Sequence, residues 1–220
     1  MKISLFTTVF VSLLASTRVF ALPTGFTCVT DANPLKCAIG EAQFAYDVQD
    51  LGAGLVQLDI LNSGSETATI ARIYLDDVDG LLTGQFVGFV PSPPRVNFRV
   101  VGAKPRNLPN GKTLTPPFLA DQRFSRLAGK GHKVIDGIDT SESLGLQFMA
   151  NTGDVLHALE DGSLRIGLIA QRFSLGGGES FVNIPASDQR ISETPEPGTW
   201  LLMVTGVLGL GIYVLRKNYV

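Results

Sequence analysis

The sequence predicts a mainly β protein whose body is a single antiparallel β-sandwich with one short helix. Apolar and polar residues alternate over several short segments, as in strands that bury one face. Glycine, proline and asparagine lie between these segments, where turns are expected. Apolar segments at both ends flank a body of about 170 residues, a length suited to one domain with its own core.

Residues 1–21 are typical of a secretory signal peptide. Lys2 supplies the positive charge, residues 3–15 form an apolar run, and Val19 and Ala21 provide a small-x-small cleavage site. We expect cleavage after Ala21, so that the body spans residues 22–193.

Cys28 and Cys37 are the only cysteines. Export into an oxidising compartment favours a disulfide between them, with a turn at Asn33-Pro34 inside the closed loop. A metal site lacks partners, since neither His132 nor His157 lies near the pair in sequence.

The clearest strand signal lies in residues 55–61, where Val56, Leu58 and Ile60 share one face. Residues 62–65 read Asn-Ser-Gly-Ser, which favours a turn, and alternation resumes over residues 67–75. We therefore predict a hairpin here. Further strands are predicted at residues 85–90, 96–101, 144–150, 164–173 and 180–184.

One helix is predicted near residues 152–160. Asn151 or Thr152 can cap its start and Gly162 can end it. The apolar residues assigned to one side of this helix are Val155, Leu156 and Leu159.

Residues 199–215 predict a transmembrane helix. This segment contains no charged residue, and seventeen helical residues reach roughly 26 Å, close to the hydrocarbon thickness of a bilayer. Arg216 and Lys217 follow at once, which favours a cytoplasmic end and a body on the outer side of the inner membrane.

Pro195, Glu196 and Pro197 stand directly before this span. The two prolines keep the chain extended and accessible to an enzyme. Residues 194–220, with their Pro-Glu-Pro motif, apolar run and basic end, resemble the PEP-CTERM sorting signal of exported proteins in Gram-negative bacteria. The resemblance implies recognition and processing by an exosortase, followed by passage to the cell surface or the exopolysaccharide matrix.

Charge divides the body unevenly. The chain has 18 basic and 20 acidic residues, and setting aside Lys2, Arg18, Arg216 and Lys217 leaves 14 against 20. This acidic balance argues against general nucleic-acid binding. Nine basic residues nevertheless cluster between positions 95 and 133, in a proline-rich stretch predicted to form long exposed loops. They are Arg95, Arg99, Lys104, Arg106, Lys112, Arg123, Arg126, Lys130 and Lys133.

Two interpretations of this basic segment stay open. It can bind an anionic exopolysaccharide, because clustered cations attract polyanions. It can also be a solvated loop that offsets the acidic first third of the body.

Asp76, Asp77 and Asp79 form a weak calcium candidate, because Ca²⁺ prefers clustered carboxylate oxygens. The spacing does not match an EF-hand, and a solvated turn at a strand end is the alternative.

Catalytic motifs and cofactor motifs are not found. The chain contains no G-x-S-x-G elbow, no H-E-x-x-H and no P-loop, and Gly176-Gly177-Gly178 is interpreted as a turn. His132 and His157 can each act as a general base in principle. We expect a non-catalytic surface or matrix protein, with an exported polysaccharide hydrolase or a protein simply anchored in the inner membrane as alternatives. The only tryptophan, Trp200, lies in the tail, which weakens a lectin interpretation.

Overall fold

The computed structural model describes residues 24–30, 32–101, 107–127 and 136–183. They form two α-helices, α1 (Pro34–Gln43) and α2 (Thr152–Asp161), and a short 3-10 turn at Gly111–Thr113. The strands are β1 (Thr24–Cys28), β2 (Phe44–Gly52), β3 (Leu55–Asn62), β4 (Thr69–Asp77), β5 (Phe86–Ser92), β6 (Phe98–Val101), β7 (Gln122–Arg126), β8 (Glu142–Met149), β9 (Leu164–Gln171) and β10 (Gly178–Asn183).

All ten strands belong to one antiparallel sheet with the order β5-β8-β3-β2-β1-β10-β9-β4-β7-β6. Strand β1 joins its two halves: Thr24 and Gly25 pair with β2, whereas residues 26–28 pair with β10. The prediction of a mainly β, antiparallel body is therefore confirmed. The halves of the predicted sandwich are hydrogen-bonded through β1, so the sheet is nearly closed and barrel-like.

Aromatic side chains bring the two ends of the sheet together. Phe86 and Phe89 of β5 lie 5.0 and 5.8 Å, between ring centroids, from Phe124 of β7. Phe148 of β8 completes the cluster, and Phe124 and Phe148 are fully buried. Because the sheet curls in this way, one continuous core fills its interior.

Helix α1 corrects the prediction of a simple turn inside the disulfide loop. Asn33 caps the helix by accepting hydrogen bonds from the backbone N–H groups of Leu35 and Lys36, and Pro34 occupies the first helical turn. Cys37 lies in this helix and is joined to Cys28 of β1 by a disulfide. The body thus has two α-helices among its described residues, rather than one.

Helix α2 agrees with its prediction at both ends. The Asn151 side chain accepts from two backbone N–H groups of the first turn, and Gly162 follows in the left-handed conformation with φ of 81°. Val155 and Leu159 are buried, but Leu156 is 43% exposed, so its assignment to the buried side is wrong.

The predicted hairpin of residues 55–75 is also wrong. Strand β3 pairs with β2 and β8, whereas β4 pairs with β7 and β9, so residues 62–65 cross from one half of the sheet to the other. Alternation identifies a strand and its buried face but does not select its partner.

The segment 107–121 covers the outer face of β4 and β9. Its Leu108 and Phe118 pack against Tyr74 and Ile169 in a second, smaller apolar cluster. A Cβ atom at position 167 of β9 would lie 3.0 Å from the Phe118 ring, which explains the glycine there.

The predicted signal peptide 1–21 and the predicted transmembrane helix 199–215 lie outside the described residues. Among the residues that are described, no helix is both long and apolar enough to cross a membrane.

We expect Phe124→Ala to destabilise the body by about 3–5 kcal/mol, because the substitution leaves a cavity where the sheet ends meet. Urea unfolding of the purified protein measures this change. Val100→Ala is the matched control, since Val100 lies opposite Phe124 on β6 but is 45% exposed. Equal effects of both substitutions would contradict the proposed closure.

Candidate functional site

Three arginines share the outer face of β4, β7 and β6. Arg72 and Arg99 lie directly opposite Ser125, one on each side of it, and Arg123 occupies the neighbouring outward position on β7. Adjacent strands are about 4.8 Å apart, so the backbones of β4 and β6 at Arg72 and Arg99 are separated by roughly 10 Å. Neither these two nor Arg123 form an ion pair within the described part of the chain. We call Arg72, Arg99 and Arg123 the arginine face.

A small crevice of about 70 Å³ lies at one margin of the arginine face. It is lined by Ala71, Arg72, Ser125, Arg126 and Gln171. Arg72 and Ser125 therefore lie beside a space of about the size of one carboxylate or sulfate group. Lys112 precedes β7 in the chain. It is exposed in the segment 107–121, which covers the outer face of the same half of the sheet.

The structure changes the interpretation of the basic segment. Arg123 and Arg126 lie on strand β7, so this part of the segment is not the predicted loop. Arg95 is 59% exposed but forms an ion pair of 2.5 Å with the buried Glu142, which neutralises it. Lys104, Arg106, Lys130 and Lys133 lie outside the described residues. Arg72 was not predicted as a site residue, because it is remote in sequence from the basic segment and reaches the face only through the pairing of β4 with β7.

The three aspartates of the calcium candidate are not assembled into one site. Asp76 forms a buried ion pair with Arg165 across the sheet. Asp77 accepts hydrogen bonds of 2.8–2.9 Å from the backbone N–H groups of residues 81–83 and so holds a turn. Asp79 is exposed at that turn. The calcium hypothesis is therefore not supported by this geometry.

Asp79 instead lines a cavity of about 330 Å³ beside α2, together with Asp154, His157 and Asp161. His157 is 77% exposed, and its Nε2 lies 3.8 Å from Asp161 Oδ2. Hydrogen bonds from Ser163 lower the pKa of Asp161. The other histidine considered as a general base, His132, lies outside the described residues.

Glu179 is buried beside the disulfide, and its carboxylate lies near both sulfur atoms. Within the described residues this is the one group of at least three cysteine, histidine or acidic side chains close enough to share a metal ion. The disulfide uses both sulfurs, while Thr30 donates a hydrogen bond to Glu179 and Lys36 lies 3.9 Å from it. These contacts give Glu179 a structural role.

A hydrogen-bonded row of polar side chains, which sequence analysis missed, lies on the outer face of β2, β3 and β8. Gln49, Gln57 and Gln147 lie opposite one another on the three strands. Gln49 and Gln57 donate to Asp59 at 2.7 and 2.9 Å, and Gln147 donates to Gln57 at 2.9 Å. Asp47 lies directly opposite Asp59. We call these five residues the amide ladder.

Asp59 is the least accessible member of the amide ladder, with 9% of its surface exposed. Burial raises the pKa of Asp59 above its ordinary value of 3.8. The hydrogen bond from Gln57 opposes this shift, whereas the negative charge of Asp47 adds to it.

Comparison with known proteins identifies one feature of the chain, a sorting motif in its tail. A family model, the PEP-CTERM protein-sorting motif, matches residues 193–217, which include Pro195, Glu196 and Pro197 but lie outside the described residues. The chain therefore carries the sorting motif that its tail resembles. No curated protein and no solved structure matches the chain. The motif indicates an exported protein that is sorted at the membrane, in Gram-negative bacteria, with an exosortase as its processing partner.

We expect the stability of the wild type relative to Asp59→Asn to rise as the pH falls from 7 towards 4. The folded protein has the higher Asp59 pKa, so it binds a proton before the unfolded chain does, and this stabilises the folded state. The relative stability is lost again as the pH rises through the raised pKa. Urea unfolding of both proteins across this pH range gives the difference in their free energies of unfolding. The other titratable groups are present in both proteins, so their contributions cancel in this difference. A flat or opposite pH dependence would contradict the burial of this carboxylate.

Proposed function

We propose that this exosortase-sorted protein is a non-catalytic component of the cell surface or extracellular matrix, whose body binds an anionic exopolysaccharide. The observation that supports the proposal is the arginine face. The three arginines stand on neighbouring strands of one sheet, and Arg72 and Arg99 are exposed, whereas the Nε atom of Arg123 is buried. Planar guanidinium groups bind carboxylates and sulfates with two parallel hydrogen bonds.

Charge distribution supports the same ligand. The arginine face is basic, although the body as a whole is acidic. A polyanion would therefore be attracted to one face and repelled by the rest, which would orient the protein on the polymer. Attachment along a repeating polymer also allows several weak contacts to act together.

An exported hydrolase that acts on polysaccharide is the alternative. It is favoured by one observation only, the directly opposed Asp47 and Asp59 of the amide ladder, because glycosidases use two carboxylates. Asp59 is buried beneath its amide partners, which is unfavourable for a group that must reach a glycosidic bond. We therefore favour the non-catalytic function.

We expect Arg72→Ala combined with Arg99→Ala to weaken binding to polygalacturonate, a linear polymer with one carboxylate per sugar, by roughly tenfold. Each exposed ionic contact contributes up to about 1 kcal/mol, and the contacts weaken as salt screens them. Affinity measurements at several salt concentrations should show a smaller salt dependence for the variant than for the wild type.

Arg172→Ala is the charge control for the single variants Arg72→Ala and Arg99→Ala, which are measured beside the double variant. It removes one positive charge, but the Arg172 guanidinium lies 3.4 Å from Asp139 and outside the arginine face. Equal binding by the double variant and the wild type would overturn the proposed ligand site. Release of new reducing ends from the polymer by the wild type would favour the hydrolase instead.

Surface location is tested through the sorting motif. Replacing Pro195, Glu196 and Pro197 with alanines removes the rigid extension and the carboxylate but leaves residues 199–215 unchanged. We expect this variant to stay unprocessed in the inner membrane, whereas deletion of residues 195–220 should release soluble body into the periplasm. Fractionation and immunoblotting measure both outcomes. An alanine variant that reaches the surface in the wild-type processed form would show that the motif does not direct sorting.

A further inference from the structure

We propose that the outer face of β2, β3 and β8 binds a neutral, hydroxyl-rich polysaccharide chain through the amide ladder. This inference rests on the proposal that the body functions among exopolysaccharides. It concerns a different face from the arginine face and a different class of sugar.

Donors and acceptors in the amide ladder can be arranged in only one way. A carboxylate accepts hydrogen bonds only, so Gln49 and Gln57 must both present Nε2 to Asp59. Gln57 must then present its carbonyl oxygen Oε1 to the Nε2 of Gln147. The buried carboxylate thereby determines the orientation of all three amides, which are held in place before any ligand binds.

The two ends of the amide ladder remain available to a ligand. Gln49 is exposed and Gln147 is half-buried, and each uses one N–H group inside the ladder. No hydrogen bond between described residues uses the carbonyl oxygen of either side chain. Each end therefore offers a fixed acceptor beside a fixed donor, which matches a pair of neighbouring sugar hydroxyls, because a hydroxyl both donates and accepts.

Two glycines shape the surface around the amide ladder. A Cβ atom at position 145 would lie 2.7 Å from Gln57 Cδ, so the glycine lets that amide lie flat on the sheet. Gly88 lies opposite Gln147 on β5, and a Cβ atom there would meet nothing within 4 Å. The surface is therefore a shallow, open strip across neighbouring strands rather than a closed pocket, which suits a continuous chain.

Apolar side chains lie on both sides of this strip at its Gln147 end. Val90 lies opposite Gly145 and is 40% exposed, and Met149 follows Gln147 by two residues and is 50% exposed. A sugar ring presents C–H groups as well as hydroxyls, so an amide row beside exposed aliphatic groups is complementary to it. The body contains no tryptophan for ring stacking, and we expect hydrogen bonds to carry most of the affinity.

Charge decides which class of sugar fits. Asp47 and Asp59 are the charged residues at the paired positions of this face, and the described positions of the row carry no lysine or arginine. Their negative charge would repel an acidic polymer. The Asp59 oxygens already accept amide N–H groups from Gln49 and Gln57, which leaves fewer lone pairs for a bound cation. A neutral chain is the ligand that meets neither obstacle.

Affinity electrophoresis of the purified full-length protein tests this site, with gels that contain dextran, mannan or galactan. At least one of these neutral polymers should retard the wild type. Gln49→Ala combined with Gln147→Ala should bind about tenfold more weakly, because hydrogen bonds at both ends of the amide ladder are lost. Gln85→Ala is the matched control, since Gln85 is an exposed glutamine just before β5 and outside the ladder.

Retardation by none of the three polymers, or equal retardation of a correctly folded double variant, would overturn the inference. Loss of binding in EDTA would also overturn it, because a cation would then mediate the contact. If the double variant unfolds, Gln147→Ala alone provides the same comparison at one end of the ladder. Polygalacturonate in parallel gels separates the two proposals, since binding to it should depend on Arg72 and Arg99 and not on the glutamines.

Discussion

Strand β1 is the connection on which the rest of the body depends. Its five residues pair with β2 at one end and with β10 at the other, and thereby convert two half-sheets into one. The disulfide from Cys28 joins this strand to α1, and the buried Phe26 packs edge-on against Tyr46 at a centroid distance of 5.7 Å. A strand this short contributes few backbone hydrogen bonds, and the cross-link and the aromatic contact add to what holds it in place.

Closure of the sheet separates an apolar interior from two chemically different outer faces. One half of the sheet presents the arginine face and is partly covered by the segment 107–121, which is attached through Phe118 and through Arg165. The Arg165 guanidinium pairs with Asp76 and donates to the backbone oxygens of Pro116 and Pro117. The other half presents the amide ladder, which is acidic and carries no such covering segment among the described residues.

These two faces belong to the body of a protein that carries its sorting motif in the tail. The PEP-CTERM motif indicates export and sorting at the membrane, while the body presents a basic face and a separate face whose charged residues are acidic. A body that contacts two polymers through two faces would connect them without catalysis.

Signals that depend on neighbours in the chain were predictable from the sequence. Val56, Leu58 and Ile60 show their common buried face by alternation, Asn151 and Gly162 mark the ends of α2, and the tail shows its sorting motif. Helix α1 was missed because Asn-Pro is common both in turns and at helix starts.

Tertiary structure alone decided which strands pair, and with it both candidate surfaces. Arg72 joins Arg99 and Arg123 only because β4 pairs with β7, although the sequence predicts that β4 pairs with β3. Gln49, Gln57 and Gln147 are spread over a hundred residues and meet only because β3 lies between β2 and β8. The hydrophobic pattern selects the buried face of each strand, but the partner of each strand depends on the closure of the whole sheet.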